Sequence, residues 1–172
     1  MSNHPSSDVA FSPSVKAVQT ARGSRRAYAR VEASGGFETE ITPALAAFLA
    51  DIDTAFLATA SAGGQPYVQH RGGPPGFIRA LDDHTLAFAD YVGNRQYVTT
   101  GNLAENDRFC LILIDSENAR RVKIWGHARV TNDPEILARL AEGKVEQAVI
   151  LEVSAWDGNC PRHIPRKINA PR

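Results

Sequence analysis

From Thr54 onward the chain is written as short apolar runs set apart by clusters of Gly, Pro, Asn and Asp at nearly even spacing, the signature of an antiparallel sheet. The runs are TAFLATAS (54–61), PYVQHR (66–71), GFIRAL (76–81), TLAFAD (85–90), RFCLILID (108–115), RRVKIWGHARVT (120–131) and EQAVILEVSAW (146–156). In the sixth, Val122, Ile124, Ala128 and Val130 alternate with Arg121, Lys123, Trp125, His127 and Arg129, so that strand has one buried face. RFCLILID is apolar on both sides, as expected where one face meets a barrel interior and the other a helix or a second subunit. Many strands with few helices favour a closed or nearly closed barrel over a sandwich, because closure removes edges. Pattern alone does not force that choice.

Helical signals are fewer. SPSVKAVQTARG (12–23) offers Ser12 as cap, Pro13 in the first turn and Gly23 as a stop. ITPALAAFLADI (41–52) repeats this with Thr42 and Pro43, and Leu45, Phe48, Leu49 and Ile52 share one face. Further helices are expected in NRQYVTTGNLAEN (94–106) and in DPEILARLAEG (133–143), where Asp133 caps. The first dozen residues are expected to be a mobile arm, and GSRRAYARVEASGG (23–36) an extended connector carrying Arg25, Arg26 and Arg30. The expected organisation is an N-terminal arm with a short helix (1–36), a main domain (37–165) and a tail (166–172).

With 172 residues, 43% of them apolar, the length suits one domain with a real core. Nineteen basic residues balance nineteen acidic ones, so no overall field recruits nucleic acid or an acidic membrane. The two cysteines stand in no zinc-type spacing, which fits a reducing cytoplasm without structural metal. The N-terminus lacks a charged start followed by an apolar core, and no apolar run approaches the ~18 residues of a membrane span.

Three segments are able to carry chemistry. In HRGGPPGF (70–77) an arginine, three glycines and two prolines interrupt strand-like sequence. Glycines there let a flat ligand or phosphate approach the backbone. Equally, they serve a bulge or wide turn for conformational reasons, with Arg71 paired to an acid such as Asp90. In FADYVGNRQYVTTGNL (88–103), unpaired amides at a helix start beside Arg95 make an anion site. The alternative is that Asn94 only caps the helix and Arg95 is solvated. SAWDGNCPRHIP (154–165) ends the last strand in a tail that Trp156 packs down. Cys110 reads as a small core residue. Cys160, near Arg162 and His163, has the setting of a lowered-pKa thiol, but no acid or second cysteine completes a nucleophilic site. Walker A, dinucleotide-binding, nucleophile-elbow and paired-histidine zinc motifs are absent from the sequence.

Taken in order, FLATASAGGQPYVQHRGGPPGF, LAFADYVGNRQYVTTGNL, KIWGHARV and WDGNCPRHIP resemble the pyridoxamine 5′-phosphate oxidase-like family, from about Phe37 through Pro165. The resemblance implies a mainly β fold with peripheral helices, a six-stranded antiparallel split β-barrel, paired as a homodimer with FMN in clefts at the subunit interface. It places His70, Arg71 and Gly72 on the strand along the flavin. Phe88, Ala89 and Asp90 fall on the neighbouring strand facing the ring. Gly93, Asn94 and Arg95 stand where the oxidases have a Ser-Arg-Lys phosphate clamp, followed by Thr99 and Asn102 on the next helix, with Trp156 in the segment that covers the cleft. One basic side chain stands in the clamp where the oxidases have two, and their C-terminal arginine and histidine pair is not evident.

The implied function is an FMN-dependent oxidoreductase, cytoplasmic, moving electrons between a reduced nicotinamide and a small-molecule acceptor, with positive charge near the ring stabilising its reduced anionic form. The alternatives are a non-catalytic FMN-binding protein for flavin storage or redox sensing, a deazaflavin- or haem-binding variant of the same fold, and a cofactor-free interaction module. No metal, nucleic acid or membrane partner is expected.

Overall fold

The computed structural model describes residues 4–140, 145–159 and 162–167. Each of the seven runs contains a strand, GFIRAL only at its last residues but one, where the sequence predicts a full strand: β1 (Thr54–Ala60), β2 (Pro66–Gly72), β3 (Arg79–Ala80), β4 (Thr85–Asp90), β5 (Arg108–Asp115), β6 (Arg120–Thr131) and β7 (Gln147–Asn159). They form one antiparallel sheet in the order β2-β1-β5-β6-β7-β4-β3. With β3 only two residues long, six strands carry the architecture. Among the described residues no backbone ladder joins β2 to β3, so the curled sheet keeps an open seam between its ends.

Helices α1 (Pro13–Ala21) and α3 (Pro43–Ala50) start as the sequence predicts. Ser12 Oγ accepts from the Val15 amide and Thr42 Oγ1 from the Leu45 amide, both at 3.3 Å. Asp133 likewise accepts from the Glu135 amide at 2.9 Å ahead of α5 (Pro134–Leu140). Two expectations are corrected. The supposed mobile arm contains a 3-10 helix, Ser6–Val9, whose Ser7 is fully buried and whose Ser6 hydroxyl donates to the Phe37 carbonyl at 2.5 Å. The supposed extended connector is a helix, α2 (Arg25–Ala33). It buries no residue, so it leaves no apolar period in the sequence. Polar contacts hold it instead: Arg25 pairs with Glu32, Lys16 reaches Glu32 at 2.9 Å and Asp8 at 2.6 Å, and Arg25 donates to Gln19 at 2.8 Å. The ring of Phe11 stands edge-on to Tyr28 and Phe37, and Phe37 stacks on Trp125.

The inner faces of the strands make the main core. Leu57, Leu86, Leu111, Leu113, Ile124 and Leu151 are fully buried, and α3 closes one end with Leu45, Phe48 and Leu49. Helix α5 covers the other face of β4 and β7 through Leu140, Ile136 and Leu137 over Ala87, Ala148 and Ile150. This makes β4 and β7 apolar on both sides. On β5 the outward row of Cys110, Ile112 and Ile114 is half-buried. Burial pushes the Cys110 thiol pKa up, which keeps it in the unreactive protonated form. No helix among the described residues is long and apolar enough to cross a membrane.

The longest ladder, β6 with β7, contains a register shift between Trp125 and Gly126. A Cβ on Gly126 would lie 1.8 Å from the Glu152 carbonyl oxygen, so only glycine lets the two backbones approach there. Gly126→Ala is expected to destabilise the fold by at least the upper part of roughly 1–3 kcal/mol, measured by chemical denaturation. A change below the lower bound would show that the ladder relaxes around the new methyl.

Candidate functional site

The interrupted strand of the sequence becomes the end of β2 and a tight turn. The Phe77 amide donates to the Pro74 carbonyl at 3.0 Å across Pro75 and Gly76, and Gly76 has φ +78°, so this is a type II turn with its preferred residues. Gly73 and Gly76 anchor to the backbone after α3, donating to Asp53 and Ile52 at 3.1 and 3.0 Å. A Cβ on Gly73 would meet the Phe77 side chain at 2.6 Å. The conformational reading therefore accounts for both glycines. What they position is the Phe77 ring, edge-on to Phe88 with centroids 6.2 Å apart.

Phe77 and Phe88 belong to the wall of a cavity of about 390 Å³ lying in the seam between β2 and β4. The expected site residues His70, Arg71, Gly72, Phe88, Ala89, Asp90, Gly93, Asn94, Arg95 and Thr99 all line it. His70 borders it from a strand whose alternation sends the imidazole to the opposite face, edge-on to Phe56. Asn102 and Trp156 do not line it. Asn102 donates to Thr59 at 3.0 Å from helix α4 (Val98–Glu105), and the Trp156 indole donates to the Glu40 carbonyl at 2.7 Å. Cys160 lies outside the described residues, and His163 is exposed.

Arg71 is already engaged. Its Nη1 donates to Asp90 Oδ1 at 2.5 Å and its Nη2 to Gln69 Oε1 at 3.2 Å, with the guanidinium 5.6 Å from the Phe88 ring centroid. Gln147 holds the other Asp90 oxygen at 3.0 Å and also donates to Thr100 at 2.9 Å, while Thr99 donates to Gln69 at 2.8 Å. Both members of the ion pair are largely buried, with 11% and 16% of their side chains exposed. The Nε of Arg71 is buried with no hydrogen-bond partner among the described residues.

The opposite wall is the loop before α4. The sequence places the helix start at Asn94; the structure starts it at Val98, because Arg95 and Tyr97 adopt left-handed φ values of 61° and 53°. Asn94 caps a local turn, accepting from the Gln96 amide at 3.2 Å, and no side chain caps α4, whose first turn borders the cavity. At the rim, Tyr97 donates to Glu146 at 2.6 Å, and the Glu146 amide donates to the Asp90 carbonyl at 3.1 Å. The influence of the Tyr97 side chain, with the charge of Glu146 behind it, pushes the pKa of the exposed Arg95 up.

Sequence reading missed Gln69, Phe77, Tyr97, Glu146 and Gln147. Gln69 was accessible to it, lying two residues before Arg71 on the same strand face. Glu146 was not, since 49 residues separate it from Tyr97.

A curled antiparallel sheet with a side-chain-lined opening between its ends is a split β-barrel. The profile of the pyridoxamine 5′-phosphate oxidase family matches residues 41–163, more than half of the chain, and the chain belongs to that family. Among solved structures it is similar to the HupZ protein of Group A Streptococcus, at 20% identity over 69% of this chain and 93% of that one, TM-score 0.56. It is also similar to LDB0262, a pyridoxamine 5′-phosphate oxidase candidate from Lactobacillus delbrueckii, at 20% identity over 70% and 95%, TM-score 0.54. A third is the conserved hypothetical protein Rv2991 from Mycobacterium tuberculosis, at 18% identity over 76% and 92%, TM-score 0.52. These likenesses show a shared fold. Comparison with curated proteins gives no match.

Asp90→Ala leaves a buried guanidinium without its counter-charge and Gln147 with one of its two acceptors, Thr100. The expected loss is about 1–3 kcal/mol of stability, read by thermal or denaturant unfolding. Unchanged stability would mean that water replaces the carboxylate without cost.

Proposed function

We propose that the cavity binds FMN and that the protein is an FMN-dependent oxidoreductase, passing electrons from a reduced nicotinamide donor to a small-molecule acceptor. The observation that carries this reading is convergence: Arg71 and Arg95, far apart in sequence, line one hollow beside the uncapped first turn of α4. A volume of about 390 Å³ suits a cofactor-sized ligand. In this reading Arg95 and the first-turn amides of α4 hold the phosphate. Residues 88–90 flank the ring, and Phe77 and Phe88 exclude water. The flavin itself supplies the two-electron chemistry. Because Asp90 compensates Arg71, little net charge from this pair reaches the ring, and the substrate has no dedicated acid or base in the roles assigned so far.

The internal pairing of the cavity's charged side chains, Arg71 with Asp90 and Glu146 with Tyr97, favours a second reading, a flavin-binding protein without turnover. Anaerobic addition of NADH and NADPH separates the two. Bleaching of the flavin band followed by reoxidation with an acceptor supports the oxidoreductase, and a band unaffected by either donor supports the binding protein.

Arg95→Ala is expected to weaken FMN binding about tenfold or more, as loss of a charge-assisted contact does, by fluorescence titration. Unchanged affinity would take Arg95 out of phosphate binding.

The same reading makes the protein a homodimer. Strand register sets Phe56 beside His70 and Ile112, and Ala58 beside Val68 and Cys110, on the outward face of β2, β1 and β5. Val68 is 60% and Phe56 36% exposed there, an apolar face that a second copy would cover. Ile112→Asp is expected to give a monomer in sedimentation while the wild type sediments as a dimer. A monomeric wild type at micromolar concentration overturns the assignment.

A further inference from the structure

A circuit of side-chain hydrogen bonds crosses the seam. It runs from Thr99 through Gln69, Arg71, Asp90 and Gln147 and returns to Thr100, the next residue of α4. Its chemistry fixes how the Gln69 amide is turned. Arginine carries donors only, so the atom that Arg71 Nη2 meets at 3.2 Å is the amide oxygen, and the Thr99 hydroxyl donates to that same oxygen at 2.8 Å. Both anchors are held in place: Thr99 is 3% exposed, and Arg71 is bound to Asp90. The other end of the amide, Nε2, is thereby left as a donor. Among the described residues it meets no acceptor, yet it is not one of the buried polar atoms without a partner, so it stays open to solvent. Gln69 stands with Tyr67 and Arg71 on the half-buried row of β2, and all three line the cavity. The open donor therefore lies at the cavity wall.

We infer that Gln69 is a ligand-binding residue of the cavity: its amide N–H donates to a carbonyl oxygen of the planar ring bound there. This rests on the FMN reading of the cavity and supplies a ring contact that the reading lacks. The phosphate calls for charged donors and helix amides, which Arg95 and the first turn of α4 offer. The ring offers neutral carbonyl acceptors. A neutral amide satisfies one of them without adding charge to a site whose Arg71 is already compensated by Asp90. Because two donors hold the Gln69 oxygen, the amide is turned before the ligand arrives, and little side-chain freedom is lost on binding. Arg71 and Thr99 are then positioning residues, which act on the ligand through Gln69.

Gln69→Glu separates this role from a structural one, since it keeps an oxygen for Arg71 and Thr99 and replaces the N–H donor with an acceptor. Gln69→Met, of similar length, removes the donor without adding charge. FMN and riboflavin, which share the ring and differ in the phosphate, are titrated into wild type and both variants, with thermal unfolding confirming that each is folded. The expected result is about three- to tenfold weaker riboflavin binding by either variant. FMN binding by Gln69→Glu is expected to fall at least as far, because the new carboxylate also repels the phosphate. A structural role alone would leave riboflavin binding by Gln69→Glu unchanged, and that outcome overturns the inference even where FMN binding weakens. Riboflavin binding by Gln69→Met at the wild-type affinity overturns it as well, and decides the matter if Gln69→Glu does not fold. In both cases FMN binding by the wild type still stands. If the wild type binds neither FMN nor riboflavin, the reading of the cavity falls and this inference with it.

Discussion

A sheet whose hydrogen-bond order runs from β2 to β3 has two ends, and the Arg71–Asp90 pair bridges them from β2 to β4, the strand beside the short β3. Backbone ladders hold every other neighbouring pair of strands, but between β2 and β4 the connection is a guanidinium, a carboxylate and the edge contact of Phe77 with Phe88. Side chains bridge a wider gap than an N–H to carbonyl ladder does. A seam closed in this way therefore leaves room inside it, and the cavity occupies that room. The fold's closure and its candidate site are one feature seen from two sides.

The same economy explains why the surrounding loops are built as they are. The turn at Pro74–Phe77 is tied to the backbone following α3 so that one aromatic ring reaches the seam from the β2 side. From the β4 side the chain makes two left-handed turns before α4 begins, which leaves the first amides of that helix uncapped and presents Arg95 and Tyr97 at the rim. Gln147, at the start of β7, ties Asp90 to Thr100 and so couples the seam to the helix behind it. A buried network of this kind is satisfied as a unit, and one missing member exposes the others to an unmet desolvation cost.

Elsewhere the energetics are ordinary. The inner rows of β1, β4, β5, β6 and β7 bury Leu, Ile, Val and Phe, and α3 and α5 close the faces that the sheet alone would leave wet. The N-terminal helices differ: α2 buries nothing and is held by Lys16, Arg25 and Glu32 together with the ring of Phe11. This segment is therefore tied down by a side-chain network rather than by buried apolar area.

Strand positions were legible before any coordinates because a half-buried strand writes period two and a turn writes Gly, Pro, Asn or Asp; both are local consequences of one residue's backbone and its immediate neighbours. The caps at Ser12, Thr42 and Asp133 were legible for the same reason. Helix α2 was not, since a helix without a buried face has no apolar period to display. Nor was the left-handed backbone at Arg95 and Tyr97, where the residues themselves give no warning. Partners were legible only in part: Asp90 was one acid that Arg71 could be expected to meet, 19 residues on, whereas nothing in the sequence joined Tyr97 to Glu146 across 49. Those pairings depend on how far the sheet curls before its ends meet, a property of all the strands together. The chain's own order of residues settled which segments are strands and which side chains are charged; only the closed fold decided which of those charges face one another.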